Sequence, residues 1–314
     1  MSKFFVVGDV TVDLMYFVDE LPEAGGDVTA SKSLMEPGGA GGTIATTLAR
    51  LGHQVKIATR VGTGPFSEVA LGNILATGVD ISHIQRDPNV QTGSVILLIT
   101  PDAQRTMLSS VGASRNLDET QIHAKDITDC DALVMSAYSL VGGSQRSYAL
   151  EALELAKKAK LTTFIDMGPG AVNALQDELI DLVQNVDYLL MNQKELFSLT
   201  GETSISDAIA GLKEQGINRV IVKVGEKGSI VITPELTELI EVFEIEGVID
   251  TTGAGDYYTA AFAHGIMQGY DLQHAARLGN VAGAINTTQI GAQTAKVDAA
   301  MLERLVEQIL PVES

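Results

Sequence analysis

Seven residues near the carboxyl end, Asp250-Thr251-Thr252-Gly253-Ala254-Gly255-Asp256, hold the densest chemistry of the chain. Gly253 and Gly255 flank one alanine, with an acid at each end. Without Cβ, the glycines take backbone angles closed to other residues and let a ligand approach closely. Tyr258, Ala261, Phe262 and Ile266 follow at helical spacing, so the loop opens a helix. The free N–H groups of a first turn, with the helix dipole, form an anion site. An acid beside an anion is unfavourable unless it has a function there. One reading reconciles the two. The loop N–H groups hold a transferring phosphate, and Asp256 takes the proton of a substrate hydroxyl.

Other clusters admit a chemical and a structural reading. Gly38-Gly39-Ala40-Gly41-Gly42 precedes a helix. It lacks the lysine of the common phosphate loop, and no dinucleotide fingerprint follows the first strand. Asp13, with Gly8-Asp9, lies near the end of the first strand. It is either a solvated turn acid or an acceptor for substrate hydroxyls. Asn192 and Glu195 are three apart after a buried strand. They suit a water-mediated hold on Mg²⁺ and phosphate, and equally a capping box with Asn192 as N-cap. Lys223-Val224-Gly225-Glu226-Lys227-Gly228 is a turn that could shape a nucleotide pocket. The histidines at 53, 83, 123, 264 and 274 have no metal spacing. Met15, Tyr16 and Phe17 either pack a strand or line a lid over a substrate.

The 314 residues include 40 acids and 21 bases, a formal net charge of −19. That balance argues against nucleic acid or an anionic membrane as partner. It leaves a nucleotide possible, held by backbone N–H groups, a few cations and Mg²⁺. Hydrophobic residues make up 45 % and no low-complexity tract occurs, which excludes a disordered protein. Cys130 is the only cysteine, so no intrachain disulfide forms, in keeping with a reducing compartment. The apolar run Phe4–Val7 is too short for a signal-peptide core, and no stretch of membrane-spanning length occurs. The expected location is cytoplasmic.

The elements that must position these residues alternate. Strands are expected at 4–7, 55–58, 132–135, 162–165, 188–191 and 220–224. Helices are expected from about Thr43 to Leu51 and at 66–76, 144–158, 175–185, 205–215, 258–268, 272–287 and 297–309. A hairpin-like piece starts at 229–233. Such alternation predicts a mainly parallel sheet with helices on both faces, and ligands beyond the strands' carboxyl ends. Extended pieces at 10–18 and 27–35, with 92–100 and 105–110 joined by a turn at 101–103, form a small separate sheet. The organisation expected is one domain, 1–314, with a β lid from about 10–36 and 92–113.

Taken together, these motifs resemble the ribokinase-like (PfkB) carbohydrate kinases, from Gly8 to about Gln293. The resemblance rests on the Asp250–Asp256 loop, on Asn192-x-x-Glu195, and on Gly38-Gly39 before the Ala45–Gly52 helix, in that order. It implies a three-layer α/β fold with a β lid, lids that pair in a homodimer, and ATP-dependent phosphorylation of a primary hydroxyl on a sugar. By position, Asp256 is the base. Gly253, Ala254, Gly255 and the Asp256 N–H form the anion hole. Asn192 and Glu195 serve phosphate and Mg²⁺. Lys223, Gly225, Glu226, Gly228, Thr252 and Asn280 line the nucleotide site. Asp13, Gly38, Gly39, Gly42, Thr43 and Tyr138 meet the sugar. A monovalent cation, K⁺, would sit at Asp250 with the carbonyls of Thr252, Asn286, Gln289 and Gly291. Ala295 lacks the side-chain oxygen some members have there.

The chain departs from the family pattern in three places. Thr43 replaces a common asparagine, Tyr138 a polar or acidic residue, and Tyr257-Tyr258 a small residue and phenylalanine. The first two stand on the sugar side, so ribose is not implied. A nucleoside kinase on the same fold is the alternative within the class, and a non-catalytic sugar-binding protein is the alternative outside it.

Overall fold

Apolar runs without polar alternation become the middle of a large sheet. The computed structural model describes residues 1–102, 105–242 and 245–309; Ala103, in the expected turn, lies outside them. In chain order, the amino-terminal half contains β1 (Lys3–Val7), β2 (Thr11–Phe17), β3 (Lys32–Gly38), α1 (Ala40–Arg50), β4 (Gln54–Gly62), α2 (Pro65–Ala76), β5 (Ile84–Asp87), β6 (Thr92–Ile99) and β7 (Arg105–Gly112). The middle holds α3 (Ala124–Thr128), β8 (Ala132–Ser136), α4 (Gly143–Ala159), β9 (Thr162–Asp166), α5 (Pro169–Leu175), α6 (Asp177–Val183), β10 (Tyr188–Asn192), α7 (Gln193–Thr200) and α8 (Ile205–Glu214). The carboxyl part adds β11 (Val220–Lys223), β12 (Ser229–Ile232), β13 (Thr237–Ile240), α9 (Ala254–Gln268), α10 (Leu272–Asn286) and α11 (Ala299–Ile309).

Among the described residues, nine strands form the large sheet in the order β13-β12-β11-β10-β9-β8-β1-β4-β5. From β11 to β5 all pairs are parallel, and the β11–β12–β13 meander is antiparallel. Side chains alternate between two buried faces. Phe5, Val7, Leu133 and Met135 join a core with Tyr148 of α4 and Leu196 of α7. Phe4, Val6, Ala132 and Val134 face Ile44 and Leu48 of α1 and Phe262 of α9. Burial on both sides is why these strands show no polar alternation.

The stretches assigned to a lid supply β2, β3, β6 and β7, a second sheet in the order β3-β2-β6-β7. It is mixed, since β2 and β6 run parallel and the outer pairs antiparallel. β7 is an edge strand with Met107 and Leu108 exposed. No helix among the described residues is long and apolar enough to cross a membrane.

Several expected boundaries move. β3 begins at Lys32 rather than near Asp27. The helix expected over 175–185 is two short helices, broken at Gln176 in a left-handed conformation, φ 41°. β5 is a short, mostly polar edge strand with no apolar run to announce it. α7, which a capping box at Asn192 would open, is present. α1 starts at Ala40, three residues before Thr43, because Gly39 with φ 86° already turns the chain into the helix. α9 likewise starts at Ala254 instead of 258.

Candidate active site

That last shift decides the local chemistry. Gly253 caps α9 with φ 79°, a conformation unfavourable for residues with a side chain, and an added Cβ would lie 2.7 Å from Ala292 O. Ala254, Gly255 and Asp256 therefore form the first turn, where backbone N–H groups have no helical partner. The two tyrosines after Asp256 pin that turn. Tyr257 is fully buried and its hydroxyl donates to Ala295 O at 2.6 Å and accepts from Arg50 at 2.8 Å. The Tyr258 hydroxyl donates to Ser229 Oγ at 2.8 Å.

The strands of the large sheet bring three more chemical groups to the same edge. Asp166 ends β9, Asn192 ends β10 and Lys223 ends β11; Asn192 and Lys223 are register partners. Lys223 Nζ donates to Asp166 Oδ1 at 2.6 Å and approaches Gly255 O at 3.5 Å. Burial pushes Asp166 up, against the pull of Lys223. Burial also opposes charge on Lys223, but Asp166, Glu195 and Asp256 outweigh it and hold the ammonium above its ordinary value. Asp256 is pushed up to about 8, first by burial, then by Asp166, with Asp13 and Glu195 adding and Lys223 opposing.

Asn192 and Glu195 adopt the capping-box geometry. Asn192 N–H donates to Glu195 Oε2 at 2.8 Å, and Glu195 N–H donates to Asn192 Oδ1 at 2.9 Å. The Asn192 amide also donates to Glu195 Oε1 at 2.7 Å. Glu195 is nonetheless buried within reach of Lys223 and Asp166, and burial raises its pKa. The cap explains the helix start, and it leaves the carboxylate at the acid cluster.

Among the residues expected to meet the acceptor, Asp13 of β2 is buried, and burial raises its pKa to about 7, with a weak hydrogen bond from Thr11 opposing and Asp250 and Glu36 adding. Its carboxylate fills the space a Cβ on Gly38 would take, which is the reason for glycine there. Thr43 is buried with its hydroxyl donating to Gly39 O at 3.0 Å, within the helix. Gly42 lies against the buried amide of Gln293, which donates to Gly38 O at 3.2 Å. Tyr138 packs its ring against the Gly168–Gly170 backbone, and its hydroxyl accepts from Gly170 N at 3.3 Å. Burial raises it, and the charges of Glu195, Asp9 and Asp256 add.

Among the residues expected to line a nucleotide site, Gly225 and Glu226 lie in a tight turn after β11, and Gly228 closes it with φ 98°. The Asn280 amide is tied to Ile240 O at 2.9 Å and Glu241 O at 3.2 Å. Behind the glycine loop, Asp250 Oδ1 accepts from Thr252 N at 2.9 Å and Thr252 Oγ1 at 2.7 Å, and Oδ2 accepts from Gly291 N at 2.9 Å. Asn286 donates its amide to Thr252 O at 2.6 Å, while the Gln289 amide turns to Thr288.

Asp166 stands just beyond the strand expected at 162–165 and had no role assigned from the sequence, and Arg105 was not singled out either. Arg105, the first residue of β7, reaches from the lid to the hydroxyls of Thr251 and Thr252 at 2.5 and 2.6 Å, with Asp250 Oδ1 at 3.5 Å. The signal for Asp166 was an acid closing a buried strand. For Arg105 it was a base opening an otherwise uncharged lid strand. A groove of about 430 Å³ opens at the other end of the sheet between α4 and α6 and contains none of these residues.

The large sheet thus brings together a helix start with N–H groups that lack helical partners, a half-buried acid in its first turn and a separate small sheet beside them. Residues 1–299 match the family model described as "pfkB family carbohydrate kinase". The chain belongs to the pfkB carbohydrate kinases. Among similar proteins, the kinase is 26 % identical over 296 residues to the deoxyribokinase of Salmonella typhi, covering 92 % of this chain and 94 % of that one. It is equally 26 % identical to the ribokinase of Haemophilus influenzae, over 92 % and 93 % of the two chains. In fold, it superposes on the adenosine kinase of Sinorhizobium meliloti with a TM-score of 0.85, at 21 % identity, over 98 % and 99 % of the chains. That superposition shows a shared fold.

Proposed function

We propose that this kinase transfers the γ-phosphate of ATP to a primary hydroxyl of a sugar held between Asp13 and the Gly38–Gly39 turn. The observation that carries the reading is the position of Asp256: a half-buried acid in the first turn of α9, raised toward neutrality, beside N–H groups that have no helical partner. Asp256 accepts the hydroxyl proton as the oxygen attacks, and the first-turn N–H groups of α9 hold the transferring phosphoryl group. A base with a pKa near ambient pH suits that task. Lys223 supplies counter-charge to the acids around it. Asn192 and Glu195 would hold Mg²⁺ through water, and the ion would neutralise phosphate charge. The buried Glu195 carboxylate beside Lys223 and Asp166 suits that role. K⁺ is left out of this reading, because Asp250 already faces a guanidinium.

The acceptor is a neutral polyol in its reacting part, since the Asp13 carboxylate recognises hydroxyls by accepting their hydrogen bonds. Tyr138 shapes the space beside the acids. A second reading, a nucleoside acceptor, is favoured by Met15, whose side chain shares the lid face of Asp13 and could meet a base. An ATP-consumption screen over pentoses, ketohexoses, sugar acids, sugar phosphates and nucleosides tests both. Turnover with a nucleoside alone rejects the sugar reading. Silence across the panel rejects both acceptor readings.

Two wider points belong to the same proposal. A homodimer through the lid is supported by the exposed Met35, Met107, Leu108 and Val111 on β3 and β7, the two outer strands of the small sheet. Leu108→Asp should leave a monomer by sedimentation analysis. A cytoplasmic location is supported by the single buried cysteine.

A further inference from the structure

We propose that Arg105 takes the place of the monovalent cation expected behind the glycine loop, so that lid closure itself completes the anion hole and the kinase needs no alkali metal ion. The inference rests on the assignment of the Asp250–Asp256 loop as the phosphate site.

The oxygens that would hold such a cation are engaged differently here. Asp250 meets three donors from its own loop and from Gly291. Thr252 O faces the amide N–H₂ of Asn286, a donor where a cation would need an oxygen. Asn286 O accepts from Gln289 N, and Gly291 O from Thr294 Oγ1. Carbonyls keep a second lone pair, so these bonds alone do not exclude an ion. The decisive feature is charge. Arg105 brings a permanent cation to 3.5 Å from Asp250 Oδ1, and a second cation beside it would be repelled in this half-buried setting. Ala295 adds no side-chain oxygen, and its carbonyl already accepts from Tyr257 and Arg50.

The guanidinium also does what a bound ion cannot. A free ion reaches the loop whatever the lid does. Arg105 is fixed to the lid, opposite Ile99 in the row Lys32–Phe17–Ile99–Arg105. Phe17 points to the same side as Asp13, because strand neighbours alternate and these are four apart. Arg105 and the acceptor-side carboxylate therefore arrive on one face of one sheet. Its two nitrogens hold Thr251 and Thr252, the residues directly before Gly253. When the lid is away, Asp250 has lost its counter-charge and the loop two of its anchors. Closure over the acceptor then orders the N–H groups that receive the phosphoryl group, and wasteful transfer to water is disfavoured. Lys223, the other cation at the site, is committed to Asp166.

The test measures turnover of the kinase with its preferred acceptor in potassium, sodium and choline chloride at one ionic strength. The parent should be indifferent to the cation. Arg105→Ala should lose about tenfold or more in kcat, and should recover with added guanidinium or potassium chloride, since Asp250 and the partnerless Asn286 Oδ1 remain as oxygens for them. Lys32→Ala, in the same lid row, should change neither the rate nor the salt response. Thallium(I) NMR supplies a readout apart from turnover: binding by the Arg105 variant only. A parent stimulated by potassium over choline, or an Arg105→Ala variant with unchanged kcat, overturns the proposal. Asp256→Asn separates this failure from that of the site itself. If it keeps the parental rate, the phosphate-site assignment falls whatever the salts do. If it is inactive while the parent is potassium-stimulated, only the role of Arg105 falls.

Discussion

The two edges of the central sheet each hold a buried titratable cluster, built in opposite ways. At the carboxyl edge, Asp9, Asp166, Glu195 and Asp256 crowd together with raised pKa values and one lysine among them. At the amino edge, His53 Nε2 and His264 Nδ1 lie 2.8 Å apart, and His53 Nδ1 accepts from Ser2 N at 3.1 Å. Burial, then His264, lowers His53 to about 4, and burial lowers His264 as well. A single helix, α9, spans both, with Asp256 in its first turn and His264 two turns further on. The histidines satisfy each other while neutral, a structural solution. The acids do not satisfy each other, and such a local conflict is the pattern of a functional site.

The largest test of that contrast is Asp256→Asn. It should fold, and kcat should fall by at least about two orders of magnitude. It should also be more heat-stable than the parent at high pH. An acid whose folded pKa is raised lends relative stability below its ordinary range, and that stability is lost as pH climbs through the folded value, here between about 4 and about 8. The gap in melting temperature between variant and parent should therefore widen over that window. A variant no more stable at pH 8 than the parent would mean the acids are not frustrated. The same ionisation should make kcat/KM rise with pH and level off above about 8, as read from initial rates.

The amino edge should respond in the other direction. A histidine with a lowered folded pKa contributes stability above its ordinary value of 6.5, and loses it as pH falls toward 4. The loss is on the order of 3 kcal/mol at most. Replacing both His53 and His264 by glutamine should flatten this acid limb in thermal denaturation while leaving kcat unchanged. An acid limb of unaltered depth would assign it elsewhere.

Two smaller effects refine the carboxyl edge. Asp13→Asn should raise the acceptor KM about tenfold, the value of one hydrogen bond to a charged group, with little change in the KM for ATP. Glu195→Gln keeps an oxygen for the Asn192 N–H, so it should lose under about 1 kcal/mol of stability. It should nevertheless raise the Mg²⁺ concentration needed for half-maximal rate. A large fall in melting temperature with unchanged Mg²⁺ dependence would leave Glu195 as a cap alone.

Sequence by itself determined whatever chemistry depends on neighbours along the chain. Asp250 to Asp256 announce a helix start suited to an anion, and Asn192 with Glu195 announce a cap, because a turn or a cap is set within a few residues. Alternating apolar runs determined the layers, since burial on both faces leaves no polar positions in a strand. Tertiary structure decided what crosses the chain. Lys223 meets Asp166 at a separation of 57 residues, Arg105 meets Thr252 at 147, and Arg50 meets Tyr257 at 207. None of these pairs has a local signature, because sheet order and lid register set their distances. The pKa values of Asp256 and Asp13 belong to the same category, since burial, the largest cause of both shifts, exists only once the sheet and lid have enclosed them.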